Sequence, residues 1–400
     1  MTIFQPADIL VPKEEALEKW AVIACDQFSS EPDYWRETEA AVGGEPSALR
    51  LILPEVWLQK DNSARIGAIH EAMRETLALG LLREYKNAFV YVERTLSDGS
   101  VRQGVIGMLD LEAYDFAPDA QTPVRATEET VAARIPARVG IREGAALELP
   151  HVLLLCDDRE DLLIGLLSRQ KAAFPKLYDF ELMQGGGHIA GWLLEGVVSR
   201  KLRERLDAYA EGRSLIFAVG DGNHSLATAK ACWERYKAAH PGTEEHPLRY
   251  ALVELENLHS PAQQLEAIHR VVTGCDAAAL LRAAQALDCP GGTPLRWVSG
   301  GQEGLIRLDL SGGLLPTALL QQFLDAWLAE NRGEIDYIHG EDSLRALAAA
   351  GDAVGFLLPA LSKERLFAGI KAGGVLPRKT FSMGAAREKR YYLEARKLEA

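Results

Sequence analysis

Residues 214–236, SLIFAVGDGNHSLATAKACWERY, constrain this chain more than any other stretch. An apolar run ends at Val219 and a Gly-Asp-Gly turn follows. Leu226, Ala229, Trp233 and Tyr236 then recur at the spacing of one helix face. A strand that feeds straight into an amphipathic helix belongs to folds that layer helices on a sheet.

The same alternation runs along the rest of the chain. Apolar spacings of three and four predict a helix over 64–82, and residues 88–96 and 101–111 predict a hairpin about Asp98-Gly99. Residues 149–156 read as a strand and 159–174 as a helix. A second hairpin is expected over 176–195 around three glycines, followed by a helix over 196–209. Further on, strands are expected at 248–255, 295–298, 304–310, 335–338 and 354–358. Helices are expected at 276–287 (with Asp276 as cap), 316–330, 342–350 and 363–372. Residues 387–396, REKRYYLEAR, read as a charged helix serving as a packing tail or a homodimer contact. The expected class is α/β or α+β, with mixed sheets and packed helices. Regions 1–120, 121–260 and 261–400 divide it, or it forms one intertwined domain.

Composition narrows the function. The 400 residues carry 44 basic and 57 acidic side chains, a formal charge of −13. Nucleic-acid binding draws its affinity from neutralised phosphates, so a small-molecule substrate is the expected partner instead. Five cysteines without a Cys-x-x-Cys pair make neither a disulfide framework nor a zinc knuckle. No apolar run reaches the ~18 residues of a membrane span. The first twenty residues lack a signal-peptide pattern, so the cytoplasm is the expected compartment.

The 220–225 turn is where chemistry is expected. The first amides of a helix point outward beside the positive end of its dipole, and Gly220 and Gly222 let a ligand approach the backbone closely. A phosphate is the natural guest, cradled by Gly220, Gly222, Asn223 and Ser225. His224 adds a donor, and Asp221 can hold Mg²⁺ or act as a base. Asp-Gly is equally an ordinary turn, and Asn an ordinary helix cap.

Other stretches carry two readings each. Gly185, Gly186, Gly187 and His188 form either a flexible hairpin loop or a backbone cradle over a ligand. Arg125 and Glu128 lie before a helix start. Glu128 can take a proton from a substrate hydroxyl, or simply favour the helix dipole. Arg134 and Arg138 flank Pro136 and can supply cations. Cys25 is expected to be buried, with Asp26 as a ligand contact at a strand end. Lys379 and Thr380 can reach a phosphate or form a solvated basic turn.

VGDGNHSLATAK resembles the signature of a bacterial and archaeal family, the uncharacterised domain of unknown function number 1015. AVIACDQFSSEPDYW at 21–35, VRATEETVAARIPAR at 124–138 and KTFSMG at 379–384 resemble it too, so the likeness spans nearly the whole chain. A more distant likeness is to the ParB and sulfiredoxin superfamily, one branch of which phosphorylates free serine. That resemblance implies an ATP or ADP site at 221–225 and an amino-acid-like substrate. Here Asn223 stands where the commoner form has histidine, and Ser225 where it has arginine. The lost arginine removes a contact worth ~1.5–3 kcal/mol.

Three functions follow as expectations. The first is a small-molecule phosphotransferase using Asp221, His224 and Glu128 with ATP or ADP and Mg²⁺; no Walker-type loop occurs. The second is a non-catalytic sensor or scaffold that binds nucleotides or other phosphorylated metabolites. The third is a metal-dependent hydrolase using Asp221, His224 and His188.

Overall fold

Phe89-Val90-Tyr91-Val92 is apolar on both sides of the pleat, so its strand has to be covered on two faces. The computed structural model, which describes residues 3–13, 17–59, 61–130, 135–311 and 314–399, shows both coverings. Phe89 and Tyr91 join one core with Leu202, Leu226 and Trp233, while Val90 and Val92 join another with Trp35, Ile69 and Met73.

The chain forms two units. The first comprises Met1–Ala126, Thr130–Gln263 and Gly384–Ala400, and the second Thr127–Glu129 and Gln264–Met383. The first is built on an eleven-stranded mixed sheet among the described residues. Its order is Lys176–Glu181, His188–Leu194, Leu82–Thr95, Val101–Asp110, Tyr250–Asn257, Leu153–Cys156, Phe217–Asp221, Val124–Ala126 and Tyr114–Asp115. Phe4–Gln5 and Ala7–Pro12 pair beside this path. Pairing is antiparallel through the hairpins. It turns parallel where Leu153–Cys156 meets Tyr250–Asn257 and where Val124–Ala126 meets Phe217–Asp221 on one side and Tyr114–Asp115 on the other. The second unit carries an antiparallel sheet in the order Gln302–Leu308, Thr293–Ser299, Val354–Leu357, Leu265–Thr273, Glu334–His339, with Phe381–Met383 added to Leu265–Thr273. Its core gathers Val272, Leu280, Leu320, Leu324 and Phe356.

Most expected elements are present, the helix Pro316–Glu330 to the residue. Asp276 caps its helix by accepting from the Ala279 amide at 2.9 Å. Three expectations change. The helix of 159–174 shrinks to Gly165–Gln170 plus a short 3-10 turn, because Asp158 and Asp161 accept the Leu163 and Gly165 amides and fold the preceding residues into a turn. Leu265–Thr273 is a strand where none was expected, because His269 and Arg270 are buried within it and break the apolar alternation.

The largest change is at 387–396. In place of a charged helix, a 3-10 turn at Ala386–Glu388 leads into an extended run: Tyr391–Tyr392 pairs with Val22–Ile23, and Arg396–Lys397 with Leu147–Glu148. From Arg390 onward the charges of this segment are not solvated. Arg390 sits between Glu254, at 2.9 Å, and Glu394, and Tyr178 donates to Glu394. Arg396 meets Glu148 at 2.8 Å, and Arg142 holds the other oxygen of the same carboxylate at 2.6 Å. Arg390, Glu394 and Arg396 are all buried.

Removing one partner of such a set leaves an uncompensated buried charge. Arg390→Met is therefore expected to lower the unfolding free energy by about 3–5 kcal/mol, read from urea unfolding of the whole chain. A loss below ~1 kcal/mol would mean that Glu254 and Glu394 do not depend on Arg390 for compensation.

Candidate functional site

Phe217–Asp221 ends with a bulge between Val219 and Asp221, and the helix Asn223–Ala239 starts two residues later. Gly222 joins them in the left-handed region, at φ 80°. A Cβ there would lie 3.0 Å from the Val152 Cα, so the neighbouring chain and the dihedral both select glycine. The Gly222 amide donates to the Asp221 carboxylate at 3.0 Å, and the Gly222 carbonyl accepts from Leu226. The first turn of this helix contains no acidic residue.

Four side chains remote in sequence converge on this turn. The Lys389 ammonium stands 3.4 Å from the second Asp221 oxygen. His151, buried at the start of the apolar run of 151–156, has its Nε2 at 2.9 Å from the Ser225 hydroxyl. Its Nδ1 lies 2.6 Å from the Tyr392 hydroxyl, which also accepts from the Cys25 amide. Asp26 completes the group, 3.7 Å from His151 Nε2.

The electrostatics follow from this packing. Burial works to raise the Asp26 pKa, but the His151 ring, the Gln27 amide and Lys389 outweigh it and hold the carboxyl below its ordinary 3.8. Burial pushes the Cys25 thiol up to about 12, with the neighbouring Asp26 charge adding to it. That thiol is therefore no nucleophile at neutral pH. Burial also raises the Tyr392 phenol well above its usual range, so it stays a neutral hydroxyl beside His151.

The other sequence-derived candidates are placed as follows. Gly220, Asp221, Gly222, Asn223, His224 and Ser225 share the turn; His224 is half-buried, and its carbonyl accepts from the Thr228 hydroxyl. The Gly186 carbonyl accepts from Arg94, whose guanidinium also donates to the Arg387 and Lys389 carbonyls at 2.8 and 2.7 Å. The glycine turn thus anchors the segment that delivers Lys389. A Cβ at Gly186 would meet the Tyr391 hydroxyl at 2.4 Å, and one at Gly187 the Thr95 carbonyl at 2.2 Å. These contacts account for both glycines through chain packing. His188 is engaged by Asp179 of its own hairpin at 2.8 Å.

Arg125 lies on the strand beside Phe217–Asp221, but its guanidinium donates to the Thr122 and Ser214 carbonyls. Ser214 precedes that strand and Asp221 closes it, a separation of roughly 20 Å along the strand direction. Arg138 pairs with Glu55, and Arg134 lies outside the described residues. Glu128, Lys379 and Thr380 belong to the second unit. There Arg270 takes the Lys379 carbonyl at 2.8 Å, and the Thr380 hydroxyl donates to the Pro377 carbonyl. Glu128 forms an isolated parallel bridge with Leu376. Among the described residues, no group of three or more His, Cys, Asp or Glu side chains is arranged to hold a metal ion. Among them, too, no helix is long and apolar enough to cross a membrane.

His151, Lys389 and Tyr392 escaped the sequence reading. A histidine opening an apolar run gives a faint signal. Lys389 and Tyr392 lay in a stretch whose charges imitate a solvated helix face.

A family model described as a protein of unknown function, DUF1015, matches residues 4–397. No curated protein matches. Among solved structures, a C-terminally truncated SbnI from Staphylococcus aureus is similar at 10% identity and a TM-score of 0.38, covering 70% of this chain and 82% of that one. A free serine kinase mutant in complex with ADP is similar at 13% identity and a TM-score of 0.40, covering 72% and 90%. A conserved hypothetical protein from Pyrococcus furiosus is similar at 11% identity and a TM-score of 0.37, covering 73% and 94%.

Two outcomes test the geometry. Gly222→Ala is expected to cost about 1–3 kcal/mol, because alanine must take a left-handed dihedral against Val152; circular dichroism during urea unfolding measures it. Asp26 ionises more readily folded than unfolded, so its contribution is complete above 3.8 and is lost as pH falls through the lower folded value. Asp26→Asn should therefore lose less stability than the native chain on acidification through that window. Parallel acid limbs for the two proteins would show that Asp26 has no such folded-state advantage.

Proposed function

We propose that this chain, which belongs to the DUF1015 family, binds ATP or ADP at the Asp221–Ser225 turn and transfers a phosphoryl group to the hydroxyl of a small molecule. One observation carries this reading: Lys389 stands 3.4 Å from Asp221 at the start of a helix with no acid in its first turn. A chain of net charge −13 needs local positive potential to hold phosphates, and an ammonium beside helix amides is a compact way to supply it.

Asp221 and Lys389 form an ion pair that a phosphate can open. Lys389 then turns to the phosphate oxygens, and Asp221 can hold a Mg²⁺ carried in by the nucleotide, an ion that commonly takes one or two carboxylates and completes its shell with phosphates and water. Mg²⁺ would neutralise charge on the transferring group. Gly222 turns the chain through the left-handed dihedral that starts the helix, and His224 adds a donor beside the phosphates. Asp26, ionised and next to His151, is placed to accept the acceptor's hydroxyl proton. With ATP as donor, the new O–P bond forms as the bridging P–O bond breaks, the electron pair leaves with ADP, and the proton goes to Asp26.

A thermal-shift series with ATP, ADP, AMP and inorganic phosphate, with and without Mg²⁺, tests the shared premise. A shift with at least one nucleotide is expected, and Lys389→Met should weaken that nucleotide about tenfold or more. No shift with any of them overturns the reading. Nucleotide turnover is then measured with amino acids and alcohols as acceptors, where His224→Ala should abolish turnover and leave folding intact. Binding without turnover for any acceptor would make the protein a nucleotide sensor, which the histidine-engaged Ser225 in place of an arginine favours.

A further inference from the structure

The Ser225–His151 pair forms one wall of a pocket of about 150 Å³ within the first unit. Its floor is apolar, with Leu53, Met73, Leu147 and Leu252 all buried. The charged groups on its wall stand in pairs, Arg138 with Glu55 and Arg142 with Glu148, with the Arg142 Nε the one nitrogen of that pair lacking a hydrogen bond. The other polar groups of the lining include the Ser225 and Tyr392 hydroxyls and the His151 ring, linked in one row by contacts of 2.9 and 2.6 Å.

A cavity of this volume over an apolar floor has room for a ring-sized guest. Compensated walls give a second ionic group no partner, and burying such a group unpaired is costly. A hydroxyl, by contrast, fits the polar row, because it has one proton to donate and two lone pairs. We infer that the pocket binds an uncharged alcohol with a branched or aromatic body, its hydroxyl set against the Ser225 hydroxyl, since both His151 nitrogens are already engaged. Resting on the reading above, this alcohol is the phosphoryl acceptor, and the pocket discriminates against small polar molecules such as free serine.

The test is calorimetric titration of the full chain with benzyl alcohol and, separately, with free serine, each in the presence and absence of ADP. One equivalent of benzyl alcohol is expected to bind, and serine is expected not to. Ala145→Leu and Leu53→Phe each intrude into the cavity from an irregular segment and should weaken benzyl alcohol about tenfold or more. Their unchanged ADP shift shows that they fold; if one does not, the other decides. A chain that binds ADP but not benzyl alcohol overturns the inference, as does undiminished binding in the folded filled variants. Benzyl alcohol binding that the fillings abolish, in a protein that binds no nucleotide, supports the pocket and overturns the phosphotransfer reading instead.

Discussion

Arg390 is the residue on which the site depends. Its guanidinium joins Glu254, on a central strand of the large sheet, to Glu394 in its own segment, and all three side chains are buried. A buried ion pair of this kind adds little net stability over an apolar isostere, but it tolerates one geometry and penalises the rest. That geometry sets Lys389 on one side and Tyr392 on the other. Lys389 faces Asp221 and Tyr392 faces His151, so the cation and the hydroxyl of the site are both fixed by the same anchor.

Arg94 repeats the device at the next step along the chain. Burial lowers its pKa to about 9, and it spends its donors on the Gly186, Arg387 and Lys389 carbonyls. The three-glycine turn therefore serves as a latch for the segment, with its glycines set by Tyr391 and Thr95. Cations near the turn are thus rationed. Arg94, Arg390, Arg396 and Arg142 all serve the backbone or buried carboxylates, while Lys389 is half-buried beside Asp221 and able to change partner.

Local signals made much of this legible. The strand, Gly-Asp-Gly turn and helix at 214–236 follow from apolar periodicity and from the conformational freedom of Gly222. The hairpins follow from Asp98-Gly99 and the three glycines. What stayed hidden depends on partners far along the chain. REKRYYLEAR has the i, i+4 charge pairing of a solvated helix, and only Glu254, Glu148 and Tyr178 turn it into a buried extended segment. His269 and Arg270 concealed a strand for the same reason: His269 bonds Leu358 and Arg270 reaches Gln321, Arg378 and Lys379, and periodicity has no access to such partners. Asp26 showed as a carboxylate at a strand end. Its pairing with a histidine more than a hundred residues away did not show, because nothing local distinguishes His151 from an ordinary core histidine.

The extended run at 389–392 also has a consequence for how the molecule is made. Cys25 and Tyr392 lie 367 positions apart, and His151 and Tyr392 lie 241 apart, yet each pair is in direct contact. Closing loops of that length is slow, because chain entropy is lost before any contact offsets it. On the ribosome, the strands and helix around Asp221 are free to form long before residue 389 has been synthesised. The binding apparatus therefore matures after the sheet that carries it, and a chain arrested before residue 389 presents a folded scaffold with the Asp221 carboxylate lacking the Lys389 ammonium.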